Sequence, residues 1–205
     1  MKNRKKNTRK KKVKKNKRRK TIKRSGGEIL GKGMQGCIID SIECGNYTKE
    51  NGFVAKIMKK ENKSEIFESI QIKLKDADPN EERYALYHKQ NCDISQNKDV
   101  KKCEKLLGYE VDTNNIFFTK KLDIINPLEL NKFQWRHLRD SVALLRKIGI
   151  IHGDLPGNIM LNPDTKMPVI IDWDSSLLSD SSYDEPTLSM DYSAFMKPSF
   201  FSVKQ

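Results

Sequence analysis

The sequence predicts a bilobal α+β fold, with a small antiparallel β-sheet and one inserted helix in the first lobe and a truncated, mainly helical second lobe. Short apolar and β-branched runs alternate with turn residues as far as about residue 122, which is typical of a sheet of about five strands. The clearest helical pattern comes only afterwards. We therefore predict a first lobe of about residues 25–122 and a second lobe of about residues 123–205.

Strands are predicted wherever a short apolar run is bounded by glycine, proline, asparagine or aspartate. A strand pair is expected around the glycines that follow residue 28, and another around the Asn162-Pro163-Asp164 turn. The predicted strands lie in residues 28–39 (a hairpin), 53–58, 105–111, 115–122, 158–161 and 168–171.

Two segments have helical periodicity. In residues 63–75, Ile66, Ile70 and Leu74 fall on one stripe, which predicts an amphipathic helix inserted between strands. The second predicted helix, residues 131–148, has a stronger apolar stripe and is followed by Gly149 as its C-terminal stop.

Charge is distributed very unevenly along the chain. The formal net charge is +13, yet residues 1–24 contain 16 Lys and Arg and no Asp or Glu. The remaining residues, 25–205, have 24 basic and 27 acidic side chains and are mildly acidic. We predict that residues 1–24 form a disordered basic tail, which binds nucleic acid, binds an import receptor or acts as a solvated extension.

Cysteine usage and hydropathy predict an intracellular protein with reduced thiols. The four cysteines form no CxxC pair, and no long apolar run predicts a membrane span. We expect localisation in the cytoplasm or nucleus.

Three glycines between two predicted strands are candidates for phosphate binding. Because glycine has no Cβ, Gly31, Gly33 and Gly36 let backbone N–H groups approach a phosphate closely. A dinucleotide-binding motif has similar spacing, but there the third glycine opens a helix, whereas an apolar strand follows here.

Lys56 lies on the next predicted strand and alternates with Val54 and Met58, so it faces the same side as these apolar residues. A lysine facing a core needs an anion, and phosphate oxygens and a carboxylate are suitable partners. The carboxylate would come from the following helix, where Glu65 and Glu68 are both placed to reach the strand. We favour Glu68.

Two aspartates follow the second helix at positions suited to phosphoryl transfer. Asp154 comes after a His-Gly pair, and Asp172 ends a strand. Phosphoryl transfer needs a carboxylate that orients the attacking hydroxyl, metal ligands and a lysine that neutralises phosphate charge. We predict Asp154 as the base, and Asp172 and Asn158 as ligands of Mg²⁺ or Mn²⁺.

These motifs resemble those of the protein-kinase-like superfamily. The segments GKGMQGCI, FVAK, HGDLPGN and IIDWD are similar to its glycine loop, lysine strand, catalytic loop and metal-binding segment. The basic leader into SGG, Cys37 and the stretch DADPNEE resemble short serine/threonine kinases of large DNA viruses, which would place the protein in a host cell or a virion. The resemblance implies ATP as phosphate donor and a hydroxyl acceptor, with protein serine or threonine favoured.

The sequence also departs from that pattern. Asn158 stands four residues after Asp154 instead of five, and Pro156 replaces a residue that commonly contacts the transferred phosphate. Gly153 stands where protein kinases have arginine, as in aminoglycoside, choline and Rio-type kinases. These differences leave a pseudokinase that binds nucleotide as a scaffold as the alternative. Asp191 is predicted either to brace the catalytic loop or to cap a helix.

Overall fold

A five-stranded antiparallel sheet forms the first half of the fold. The computed structural model describes residues 29–33, 35–60 and 65–179. The strand order is β1-β2-β3-β5-β4, so the glycine hairpin lies at one edge and β3 lies in the middle of the sheet. The strands are β1 Ile29–Lys32, β2 Gly36–Ile39, β3 Phe53–Met58, β4 His88–Asn91 and β5 Asn115–Lys120.

Helix α1, Glu65–Ala77, confirms the helix predicted between β3 and the later strands. Ile70 and Leu74 are buried as expected, but Ile66 is 51 % exposed. The inward position at this turn is taken by Phe67, whose ring contacts Tyr87 and Phe117. The apolar stripe is therefore rotated by one residue from the predicted one.

The predicted strand at residues 105–111 is wrong. Residues 105–107 form the end of helix α2, Lys98–Leu107, and the remaining residues follow the helix. Asn97 caps the helix by accepting a hydrogen bond from the backbone of Asp99, and Gly108 ends it in a left-handed conformation. Val100 and Cys103 lie three residues apart on the buried face. Of the apolar residues that suggested a strand, Leu107 continues this helical stripe, Leu106 is 53 % exposed, and Val111 forms an isolated β-bridge with Lys59.

Strand β4 was not predicted, since its sequence HKQN has neither β-branched residues nor apolar alternation. It exists because it pairs antiparallel with β5, from His88 opposite Phe118 to Asn91 opposite Asn115. Tertiary pairing overrides local propensity at this edge strand.

Helix α3, Lys132–Lys147, is the principal helix of the second half. Asn131 and Gln134 form a reciprocal capping box at its start, and Gly149 follows its end with φ of 72°. No helix among the described residues is both long and apolar enough to span a membrane. The short strands of this half are β6 Asp123–Ile124, β7 Ile150–Ile151, β8 Ile159–Leu161, β9 Pro168–Ile170 and β10 Leu177–Leu178.

Two hydrophobic clusters stabilise the fold. One packs the sheet against α2 and includes Ile39, Ile57 and Phe118, while the other packs α1 against α3 and β9. The segment before β4 joins the halves, because Ala85 N donates to Ile170 O and Ile170 N donates to Arg83 O. Strand β9, which leads into Asp172, is thereby held against the first half.

The cysteines differ from the expectation of free thiols. The structure pairs Cys37 with Cys103 and Cys44 with Cys92, with Cα–Cα distances of 6.2 Å in both disulfides. Their separations of 66 and 48 residues resemble no local motif, so only the packing of α2 and its flanking loops on the sheet brings them together.

Gly36 and Gly33 should respond differently to alanine, although both belong to the glycine hairpin. A Cβ at Gly36 would overlap the carbonyl oxygen of Ile57 on β3, whereas a Cβ at Gly33 meets nothing within 4 Å. We expect Gly36→Ala to lower the free energy of unfolding by about 1–3 kcal/mol. Gly33→Ala should leave it within about 0.5 kcal/mol. Urea unfolding measures both, and equal losses would contradict this structural role of Gly36.

Candidate active site

A cavity of about 480 Å³ lies between the glycine hairpin, β3, β5 and the β8–β9 segment. Its walls are largely apolar, and three of its charged lining residues, Lys56, Asp172 and Asp174, contact one another and form what we call the charged end. The apolar lining includes Leu30, Ile38, Val54, Ala85, Ile159 and Ile171, and the charged lining includes Lys56, Asp172 and Asp174. A flat apolar group joined to a polyanion would match this division.

The glycine hairpin closes one side of the cavity. Gly33 N donates to Gly36 O at 2.9 Å, which holds the turn together. Gly31, Gly33 and Gly36 all line the cavity, and the space around the first two is open. Gly31 and Gly33 are thus placed for close approach of a ligand, whereas Gly36 is required for packing against β3.

Lys56 projects from the centre of the sheet to the charged end of the cavity. Its side chain is 6 % exposed, and its Nζ lies 2.7 Å from Asp172 Oδ1 and 2.6 Å from Asp174 Oδ2. The ammonium also lies 5.2 Å from the centre of the Tyr87 ring. The buried lysine is therefore paired with two carboxylates and packed against an aromatic ring.

The charges of this cluster shift one another's titration. Burial disfavours the charged form of Lys56, but Tyr87, Asp174 and Asp172 outweigh it and raise its pKa above the ordinary value. Burial also opposes ionisation of Asp172, yet Lys56 holds the pKa of that carboxyl below its usual range. The pKa of Asp174 is raised, by burial first and by the nearby charge of Asp172.

The structure does not bring Glu68 to Lys56. Glu68 Oε1 accepts a hydrogen bond from Lys89 Nζ at 2.7 Å, and both side chains are about half exposed. The predicted Lys56–Glu68 pair is replaced by pairs of Lys56 with Asp172 and Asp174. The cause is the orientation of α1, which buries Phe67 and turns Glu68 to the surface.

Asp154 and Asn158 flank a short 3-10 helix, Leu155–Gly157. Asn158 Nδ2 donates to Asp154 O at 2.7 Å and to Asp154 Oδ2 at 3.2 Å. The loop that is one residue shorter than in the resembled family therefore still brings the asparagine to the aspartate. Since the amide nitrogen is engaged, the amide oxygen of Asn158 is the atom left for a cation.

His152 and Gly153 position the backbone that leads to Asp154. The fully buried His152 donates from Nε2 to Ile171 O at 2.8 Å, and its own carbonyl accepts from Ser176 Oγ at 3.0 Å. Gly153 has φ of 82°, and a Cβ there would overlap the carbonyl oxygen of Ser175. Backbone contact with the segment after Asp172 explains why glycine precedes Asp154.

Asp172 follows β9 and adopts φ of 63°, a left-handed conformation that is uncommon for a residue other than glycine. Ile171 N donates to Asn158 O at 3.0 Å, so Asp172 and Asn158 lie on neighbouring strand ends. Of the two aspartates that contact Lys56, Asp172 is the more accessible, with 40 % of its side chain exposed against 10 % for Asp174. Backbone strain of this kind clusters at functional sites, but it is not confined to this site, since Glu81 and Lys166 also have positive φ.

These donors fit a hard divalent cation. Mg²⁺ is usually bound by one or two protein oxygens together with phosphate oxygens. The carboxylate of Asp172 and the amide oxygen of Asn158 provide such ligands, and the adjoining cavity has room for phosphates. The predicted metal ligands are therefore of a chemical type that suits a nucleotide-bound Mg²⁺, and one of them, Asp172, lines the cavity.

Thr119 and Asp174 are among the polar residues of the cavity that sequence reasoning missed. Thr119 on β5 is buried, lines the cavity and has no hydrogen-bond partner for Oγ1 among the described residues. Asp174 was visible in the segment IIDWD, but no spacing rule indicated that it contacts Lys56. The predicted Asp191 and the basic tail lie outside the described residues.

Removing the ammonium should make stability depend on pH. In Lys56→Met, two neighbouring carboxyls remain without their cation, so their pKa values rise above the unfolded value of about 3.9. The folded chain then holds more protons than the unfolded chain, and the free energy of unfolding falls as pH rises above about 4. We expect a loss of about 1–3 kcal/mol at pH 7, discounted for the exposure of Asp172, and a smaller loss at pH 5.

Chemical denaturation at both pH values measures this effect. Lys89→Met is the matched control, because it removes a lysine from an exposed ion pair and should change stability by less than about 1 kcal/mol. Equal losses of stability for Lys56→Met at pH 5 and pH 7 would contradict the conclusion that Lys56 compensates the charges of Asp172 and Asp174.

A known protein family matches the part of the chain that contains three of the predicted site residues. Residues 120–192 match the sequence model of APH, the phosphotransferase enzyme family. No curated protein matched the chain. The matched segment contains Asp154, Asn158 and Asp172. In the part of the chain that the structure describes, the α/β architecture with an antiparallel sheet and three α-helices is compatible with a kinase-like fold. The match supports the resemblance to the kinase-like superfamily and indicates a phosphotransfer function.

Proposed function

We propose that the protein is an ATP-dependent phosphotransferase that moves the γ-phosphoryl group to a hydroxyl, with protein serine or threonine as the first acceptor class to test. The observation that carries this proposal is the convergence of three chain segments at one cavity. Lys56 on β3 and Asp172 after β9 line the cavity, and so does Gly157 of the loop that Asp154 and Asn158 flank. Phosphoryl transfer needs these groups within reach of one nucleotide.

The nucleotide would bind with its base among the apolar side chains and its phosphates towards Lys56. Gly31 and Gly33 leave room for the phosphates beside the hairpin backbone. Asp172 and Asn158 would hold Mg²⁺, which neutralises phosphate charge when bound. Lys56 would neutralise further phosphate charge from the floor of the cavity.

Asp154 would orient the acceptor hydroxyl and accept its proton. Its hydrogen bond from Asn158 fixes the carboxylate, and the exposed carboxylate is open to a hydroxyl approaching from solvent. This exposure supports an acceptor carried by a large molecule, since the hydroxyl need not enter a closed pocket.

A nucleotide-binding scaffold without transfer activity is the second candidate. Two observations favour it: the catalytic loop is one residue short, and Lys56 is already paired with two carboxylates. It predicts nucleotide binding with no turnover for any acceptor.

For residues 1–24, which lie outside the described part of the chain, we propose polyanion binding through their 16 basic side chains. Such binding would weaken steeply with salt. Localisation in the cytoplasm or nucleus of a host cell, or in a virion, stays a prediction from the sequence.

Asp154→Asn should lower kcat by about 10²- to 10⁴-fold, because the amide orients a hydroxyl but accepts no proton from it. Nucleotide affinity should be retained. The assay follows transfer of γ-labelled phosphate from ATP with Mg²⁺ or Mn²⁺, using a generic basic protein in one arm and small-molecule alcohols in the other.

Asp164→Asn is the matched control, since Asp164 is an exposed carboxylate in the turn between β8 and β9. Transfer only to small alcohols would contradict the protein acceptor and leave the phosphotransferase intact. Nucleotide binding without transfer in either arm would favour the scaffold. A chain that binds no nucleotide would overturn both functions.

A further inference from the structure

We infer that Asp174 is the positioning residue that holds Lys56 for the nucleotide phosphates, the task predicted for Glu68 of helix α1. The inference rests on the proposed function and deepens it by assigning different tasks to the two aspartates of the IIDWD segment. Asp172 is the carboxylate available to a cation, and Asp174 is the carboxylate that stays with the lysine.

Exposure separates the two carboxylates. Lys56 Nζ lies at nearly equal distances from them, 2.7 Å from Asp172 Oδ1 and 2.6 Å from Asp174 Oδ2. The side chain of Asp172, however, is 40 % exposed, while that of Asp174 is 10 % exposed. A cation that arrives from the cavity with its phosphates and water ligands reaches Asp172 more readily.

Asp174 depends on Lys56 for its compensation. Its second oxygen, Oδ1, is buried and has no hydrogen-bond partner among the described residues. A buried carboxylate needs a paired charge or hydrogen bonds, so the contact from Oδ2 to the ammonium is the main compensation that Asp174 receives. Asp174 and Lys56 therefore each compensate the buried charge of the other.

The backbone around Asp174 packs against α1 in the core and is also anchored by hydrogen bonds that do not involve α1. Trp173 is buried, and its Nε1 donates to Ala85 O at 2.8 Å. Ser176 N donates to Trp173 O at 3.1 Å, which closes the short 3-10 helix Trp173–Ser175 around Asp174. Because these hydrogen bonds hold the segment that follows β9, the buried carboxylate that contacts Lys56 comes from this segment and not from α1.

This arrangement matters once Asp172 binds a cation. A cation held by Asp172 would compete with Lys56 for that carboxylate, so a lysine paired with Asp172 alone would lose its partner. With Asp174 in place, the ammonium keeps one contact and turns its remaining donors to phosphate oxygens. Lys56 is thus oriented before and after nucleotide binding.

A double-mutant cycle on the full chain tests the inference. Calorimetry measures the affinity for a non-hydrolysable ATP analogue with Mg²⁺ in the wild type, Asp174→Asn, Lys56→Met and the double variant. We expect Asp174→Asn to weaken binding by about 10- to 100-fold, as for residues that orient a binding group. The double variant should bind like Lys56→Met, since Asp174 acts through the lysine.

A second measurement needs no nucleotide. Acetylation of Lys56, followed by mass spectrometry of the peptide, should be faster in Asp174→Asn than in the wild type and return towards the wild-type rate in Asp174→Glu. Glu68→Gln should leave the acetylation rate of Lys56 unchanged. Thermal unfolding of each variant establishes that the chain is folded.

Three results would overturn the inference while the proposed function stands: wild-type affinity in Asp174→Asn, additive losses in the double variant, or faster Lys56 acetylation in Glu68→Gln than in Asp174→Asn. Additive losses would identify Asp174 as a separate ligand of the metal or nucleotide. If the wild type binds no nucleotide, the proposed function fails and the inference falls with it.

Discussion

The contact of Lys56 with Asp172 and Asp174 links the two halves of the fold at the candidate active site. Lys56 belongs to the central strand of the sheet, whereas the aspartates follow β9, which packs beside α3. Buried charges persist only when they are paired. The pairing therefore fixes the sheet relative to β9, and the cavity between them retains its charged end.

Close contacts between main-chain segments are the second constraint on the candidate active site. The carbonyls of Ile57 and Ser175 leave no space for a Cβ at Gly36 and Gly153, respectively. In addition, Ile171 N donates to the carbonyl of Asn158. The hairpin, the catalytic loop and the segment after β9 are consequently positioned by main-chain contacts. Side chains such as Asp154 can then serve a ligand without also having to hold the loops together.

The architecture also shows how the short loop keeps Asp154 and Asn158 in contact. A single turn of 3-10 helix connects Asp154 to Asn158, and the asparagine folds back on the aspartate by two hydrogen bonds. A loop of ordinary length would need more chain to reach the same contact. The loop is thus one residue shorter than in the resembled family, yet its asparagine still contacts its aspartate.

The sequence by itself determined the glycine hairpin, β3, β5, α3 and the β8–β9 hairpin, because local periodicity and turn residues specify these elements. It also singled out Lys56, Asp154, Asn158 and Asp172, whose residue types and order suit phosphoryl transfer, and it identified the segment that contains Asp174. Only the tertiary structure decided that β4 exists, that the cysteines pair across long separations, and that Asp174 contacts Lys56 in place of Glu68. Pairing, burial and helix orientation depend on partners distant in sequence, which local patterns do not specify.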